Sequence, residues 1–334
     1  MNDPFISICI PAYKHPEFLM RLLNFILIQN FKDFEVIITY DSPDNSVGEM
    51  INHYLERIAI SYTRNAQPLG TPANWNEAIR HARGHWIKLM HDDDWFSDEG
   101  SLQLYIDAIK ANPKADFIFS AYRNVSGEES VDLKIPDQLP KGSSEPVIRP
   151  EGFRMRQLKI NPTTLLSKNI IGPPSVVTHK NDKLHFYDTS LKWLVDIDFY
   201  IRYLNEYNVV FIDKPLINIG INPLQVTKSS SLVREVEIPE HFRILEKTGI
   251  KNLENLLVYD AWWRLFRNLK ILSTAEIAMA GYNGPIPGAL INIIKFQSRF
   301  PYRLLKFGPA AKVLMMASYL HNKLSGNFRQ PEIV

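Results

Sequence analysis

The residues best suited to chemistry stand together at His91-Asp92-Asp93-Asp94-Trp95. Three adjacent carboxylates repel one another and lose hydration in a crevice. A divalent cation relieves that cost, and Mg2+ is commonly held by one or two carboxylates plus phosphate oxygens. The run therefore suits a nucleoside diphosphate bound with Mn2+ or Mg2+. The same acids also form solvated turns and cap helices, a reading open to Asp94, Ser97 and Asp98. A second acid, Asp41 in Thr39-Tyr40-Asp41-Ser42-Pro43-Asp44, can accept the imide N–H of uracil or thymine. A turn built from Asp, Ser and Pro is the competing reading. Beside it Pro11-Ala12-Tyr13 offers a proline and an aromatic ring to flank a base.

The elements that must position these residues follow from hydrophobic periodicity. Short β-rich apolar runs at 5–10, 34–39, 58–63, 85–90 and 116–122 alternate with helical patterns. That alternation predicts β-α-β units and a mainly parallel sheet. The helices fall at 16–30, with Pro16 in the first turn, and at 46–56, 71–83 and 97–111, the third stopping at Gly84. The run Trp86-Ile87-Lys88-Leu89-Met90 places His91 to Asp94 at the carboxyl end of a strand, where ligands bind in open α/β sheets. Asp41 closes the second strand by the same logic. Residues 124–150 turn rich in Ser, Gly, Glu, Lys and Pro, predicting a long irregular loop. Order returns with the Gly172-Pro173-Pro174-Ser175 turn, a strand at 176–178, a helix at 198–207 and a strand at 209–212; beyond 233 the pattern is helical.

Taken in order, these segments resemble the GT-A glycosyltransferases of family 2, an inverting group that builds polysaccharides, over residues 7–227. The resemblance rests on Ile6-Ser7-Ile8-Cys9-Ile10-Pro11-Ala12-Tyr13 as opening strand and on Gln29-Asn30-Phe31-Lys32-Asp33-Phe34-Glu35-Val36-Ile37-Ile38 leading into the second. Arg64-Asn65 followed by Gly70, Asn74 and Asn76, then the acidic run, continue it. The resemblance implies a GT-A nucleotide-diphospho-sugar transferase fold, with Asp41 on the base, Asp92 on the ribose or sugar and Asp93 on the metal. Pro11, Ala12, Tyr13, Gly70 and Asn74 line the nucleotide. Lys192-Trp193-Leu194-Val195-Asp196-Ile197-Asp198-Phe199-Tyr200-Ile201-Arg202 is similar to the family's catalytic-base region, with Asp196 matching the base and Asp198 its competitor. Pro174, Ser175 and Trp193 fall in loops near the donor sugar and acceptor.

Three departures stand out. His91 occupies the place of a frequent first Asp, Tyr40 that of an Asp before Asp41, and Gly220 and Asn222 that of an Arg-x-His pair preceding Gln225 and Thr227. The family's organisation implies a catalytic domain at 1–230, divided into a nucleotide-binding half (1–122) and an acceptor half (123–230), with a helical extension at 231–334.

Composition narrows the alternatives. A net charge of +2 argues against a general nucleic-acid binder, yet from 285 onward seven basic residues face one acid. The apolar stretches there, 289–296 and 313–320, are too short to span a bilayer. A basic surface lying on anionic lipid, as a polyprenyl-linked acceptor would require, and helices packed on the core or on a second copy are both open readings. The single cysteine, Cys9, sits in an apolar run and excludes an intrachain disulfide. The opening residues lack a signal-peptide pattern, so the expected location is cytoplasmic, with or without contact to the membrane's inner face. A sugar-phosphate nucleotidyltransferase would need a glycine-rich loop after the first strand, whereas Pro11-Ala12-Tyr13-Lys14-His15-Pro16 has no glycine. A catalytically silent protein of the same fold is the other rival.

Overall fold

The apolar run that opens the chain forms strand β1 (Ile6–Ala12), all seven residues buried as a central strand requires. The computed structural model describes residues 3–126, 146–221 and 232–328. Strand β1 pairs in parallel with β2 (Phe34–Tyr40) on one edge and β4 (Trp86–Leu89) on the other, and β2 pairs with β3 (Ile60–Arg64). The sheet continues through β5 (Trp95–Phe96), β6 (Phe117–Ser126), β7 (Val177–Lys180) and β8 (Val209–Ile221), in the order β3-β2-β1-β4-β7-β6-β8-β5. Antiparallel β7 and β5 make it mixed but mostly parallel. The expected α/β architecture is therefore present.

Helices α1 (Pro16–Leu27), α2 (Ser46–Ile51), α3 (Ala73–His81) and α4 (Ser101–Ala111) lie between the strands in sequence. The second is shorter than the expected 46–56, because the chain leaves the helix after Ile51 for a series of turns. The fourth begins at Ser101, so Asp94 does not cap it; Asp98 instead accepts bonds from the Gly100 N–H and the Ser101 hydroxyl. Strand β5 was not expected, since two residues carry no period to read.

The chain divides into two compact units, one of 1–159, 170–190 and 198–225, the other of 160–169, 191–197 and 226–334. The first holds the sheet. Helix α5 (Gly152–Ile160) precedes the turn at Pro162–Leu166, and α6 (Val195–Glu206) starts in the second unit's short 191–197 segment. The rest of the second unit is helical: α7 (Arg234–Thr248), α8 (Leu256–Leu269), α9 (Thr274–Met279), α10 (Gly288–Gln297), α11 (Tyr302–Lys306) and α12 (Gly308–Leu324). Its own core joins Phe242 of α7, Trp262, Trp263 and Phe266 of α8, and Leu290 and Ile293 of α10. Among the described residues no helix is long and apolar enough to cross a membrane.

Candidate active site

The acidic run emerges at the end of β4 and is braced from several sides. Arg21, on the buried stripe of α1, donates from Nη2 to the Asp93 carbonyl at 2.7 Å, and its guanidinium lies 3.7 Å from the centre of the Trp95 ring. Burial lowers its pKa to about 10, against the pull of the neighbouring acids. Asp94 is 2 % exposed and accepts from the Gly220 N–H at 3.1 Å and from the Ser175 hydroxyl. The Ser175 hydroxyl also accepts the His91 N–H at 3.0 Å. Beneath it the buried Lys88 ammonium donates to the carbonyls of Ser175 and Val177, pinning the Pro174–Val176 turn. Desolvation holds that lysine well below its ordinary pKa.

His91, Asp93 and Asp94 offer ligand atoms all within 4.8 Å of one another. Burial lowers the His91 pKa and favours the neutral imidazole that binds metals. Its ring packs 4.7 Å from Trp75, and its Nε2 is buried without a hydrogen-bond partner among the described residues. Burial, then the charge of Asp93, pushes Asp92 up to about 8 and Asp94 above the carboxylate range. A cation would reverse both effects, and one imidazole with two carboxylates fits Mn2+ or Mg2+. The candidate ligand group thus adds His91 and Asp94 to Asp93, the one metal ligand to which the sequence pointed.

Asp92 accepts the Tyr13 N–H at 3.1 Å, tying the end of β1 to the acidic run. Pro11 and Ala12 are buried in the sheet, while Tyr13 is 51 % exposed, so only the tyrosine presents its ring to solvent. At the end of β2, Asp41 accepts from Asn65 Nδ2 (2.8 Å) and from the backbone N–H groups of Leu69 (2.7 Å) and Gly70 (2.8 Å). Gly70 makes this approach at φ 73°, a conformation suited to glycine. Asn74 accepts from Asn65 and bonds the Thr39 carbonyl, fixing the same loop against β2. Tyr40 is buried, and its hydroxyl donates to Asp44 at 2.6 Å.

The departure at Gly220 has a steric reason. A Cβ there would stand 2.3 Å from the Asp93 carbonyl oxygen, so β8 can approach the acidic run only without a side chain. Asn222, Gln225 and Thr227 lie outside the described residues, as does most of the expected loop at 124–150.

Trp193 and Asp196 belong to the second unit. Glu240 of α7, which the sequence reading missed, gathers the N–H groups of Lys192 (2.7 Å), Trp193 (3.0 Å) and Leu194 (2.8 Å) on one carboxylate. This fixes the chain just before α6. Asp196 is part-buried, accepts from Asn169 Nδ2 at 2.9 Å, and is pushed up to about 6 by burial. Asp198 is 1 % exposed and bridged to Arg202 at 2.8 Å.

Comparison with known proteins bears on the family and the fold. Residues 7–166 match the glycosyl transferase family 2 model. A putative colanic acid biosynthesis glycosyl transferase of Escherichia coli is 25% identical over 209 residues, 62% of this chain and 68% of that protein. The fold resembles S. aureus TarS 1-349 solved with UDP-GlcNAc (TM-score 0.55, 14% identity, 98% of this chain and 94% of the other). It also resembles a mannosyltransferase from Pyrobaculum calidifontis solved with GDP-Man and Mn2+ (TM-score 0.51, 14% identity, 99% and 89%). Residues 7–166 thus carry a match to glycosyl transferase family 2, and the chain as a whole has a GT-A fold with a helical C-terminal region.

Proposed function

We propose that this glycosyltransferase inverts the anomeric centre as it moves a sugar from a UDP or dTDP donor to a hydroxyl of a glycan or polyprenyl-linked acceptor in cell-surface polysaccharide assembly. The observation that carries the donor half of this reading is the convergence of His91, Asp93 and Asp94 at the end of β4, on the same sheet edge as Asp41. The colanic acid relative supports the polysaccharide setting, and the UDP-GlcNAc complex of TarS supports the uridine donor. We assign catalysis to 1–230 and treat 231–334 as an extension.

Each residue then has a task. Asp41 keeps about one of its roughly four lone-pair sites for the base imide N–H, the others holding Asn65, Leu69 and Gly70. Asp92 faces the ribose or sugar. Asp93, with His91 and Asp94, holds the divalent ion, which when bound supplies Lewis-acid stabilisation of the leaving diphosphate. Asp196 takes the acceptor hydroxyl's proton as that oxygen attacks the anomeric carbon; a carboxyl near 6 is ionised at neutral pH yet basic enough for the task. Asp198, buried against Arg202, is left to structure.

The test is a thermal-shift and calorimetric screen of UDP-, dTDP- and GDP-sugars with and without Mn2+, on the wild type and Asp93→Ala. Metal-dependent binding of a UDP- or dTDP-sugar, lost in the variant, is expected. Preference for a guanosine donor would overturn the base assignment, and wild-type binding by Asp93→Ala would overturn the metal assignment. Retention of anomeric configuration in the product, read by NMR, would overturn the inverting mechanism.

A further inference from the structure

Helix α12 is apolar on two opposite faces. Ala311, Met315, Ser318 and Asn322 form its buried stripe. Val313, Met316, Leu320 and Leu324 recur at the same helical spacing on the other side, with Val313 69%, Leu320 49% and Leu324 88% exposed in the whole chain. An amphipathic helix of a monomeric domain would be polar there. The orientation is specified, because the Ser318 hydroxyl pairs with Tyr259 Oη at 2.7 Å and Asn322 Nδ2 donates to the same oxygen at 2.7 Å. Buried polar contacts of this kind set one rotation of the helix on α8. The turn leading into α12 exposes a further aromatic, Phe307, at 62%.

The charge that the chain itself carries along this stretch has one sign. From 299 to 328 the chain carries Arg299, Arg303, Lys306, Lys312 and Lys323 and no acidic residue. Lys312 reaches Asp260 at 2.8 Å, and Asp260 also holds Arg264, so the acid there is already shared. A second copy of this chain docked symmetrically on the stripe would bring these cations against their own images. An anionic bilayer surface complements them and takes the apolar stripe below its headgroups.

We propose that the outer face of α12, with Phe307 and the cations of 299–323, lies on an anionic membrane surface. The helix, seventeen residues long with Lys312 in its second turn and Lys323 in its last, rests in the interface. The inference stands on the second unit alone and is independent of the donor reading.

The test is co-sedimentation of the full chain with vesicles of phosphatidylcholine alone and of phosphatidylcholine mixed with phosphatidylglycerol, at low and high salt. The proposal expects binding to the anionic vesicles, weakened by salt. Lys306→Ser and Lys323→Ser should each lower the partition coefficient about five-fold. Val313→Asp with Leu320→Asp should lower it more than ~10-fold, with melting temperature and donor binding unchanged, since both positions are exposed. No binding to anionic vesicles, equal binding to neutral ones, or an Asp variant that partitions like the wild type would each overturn it. So would a dimer in solution that the Asp variant splits, because a second copy would then be the occupant.

Discussion

At the scale of single residues, several carboxyls of this chain are held where burial fights ionisation, and Asp196 is the simplest case. Its folded pKa of about 6 stands above the ordinary carboxyl value of 3.8, so between roughly pH 4 and 6 the folded chain binds a proton that the unfolded chain has released. The stability Asp196 contributes is therefore complete below about pH 4 and is lost as pH rises through 6. Above that it is a cost of at most about 3 kcal/mol, reduced because the carboxyl is part-exposed. Replacing Asp196 with Asn removes the ionisation while leaving an oxygen for Asn169. The variant should match the wild type in urea unfolding near pH 4 and become the more stable of the two by pH 7. Turnover should fall by about 10²–10⁴ if the carboxylate is the base. A stability difference that does not change with pH would remove the buried-carboxyl argument; full activity would remove the base. Asp196 was legible only through the family resemblance. Arg21, Lys88 and Glu240 were not, because a charged residue read along the chain looks solvated, and their partners lie 72, 87 and 46–48 positions away.

At the scale of elements, the acidic run depends on strands far from it in sequence as well as on β4, which leads into it. Strands β1, β2 and β4 were readable because a central parallel strand is an apolar run, and the run ends where the ligand residues begin. Strand β8 was read only as 209–212, yet it continues to Ile221 and brings Gly220 to Asp93 and Asp94. Its outer half pairs with β5, a two-residue element with no period to detect. The absence of an Arg-x-His pair at 220 and 222 looked like a missing ligand; at Gly220 it is a steric requirement of this packing. Gly220→Ala should therefore force β8 away from the Asp93 carbonyl, since backbone stands on both sides of the clash. A loss of about 1–3 kcal/mol in denaturant unfolding is expected, together with weaker Mn2+ binding by titration. Wild-type stability and metal affinity in Gly220→Ala would mean that β8 has slack the close approach denies.

At the scale of the molecule, the acidic run lies in the sheet unit, and Asp196, the proposed base, lies on a short segment that belongs to the helical unit. The borrowing of 160–169 and 191–197 could not be read from the sequence, because it is a tertiary choice made by contacts such as Asn161 to Asn252 and Arg264 to Ser167. The sheet unit's acids make a prediction for the whole chain. Asp92, near 8, and Asp94, raised by the same burial and by Asp93, hold protons in the folded state that the unfolded chain releases near the ordinary carboxylate value. Without metal, their contribution to stability is lost as pH rises toward 8. Metal binding requires ionised ligands and a neutral imidazole, and it stabilises the folded chain by mass action. The rise in melting temperature caused by Mn2+ should thus be small near pH 5 and grow toward pH 8, in calorimetry with a matched series of buffers. Asp93→Ala should abolish the rise at every pH. A rise that is flat across this range would mean that the protons of the acidic run are not displaced by the ion, and that Asp93 binds it without help from His91 and Asp94.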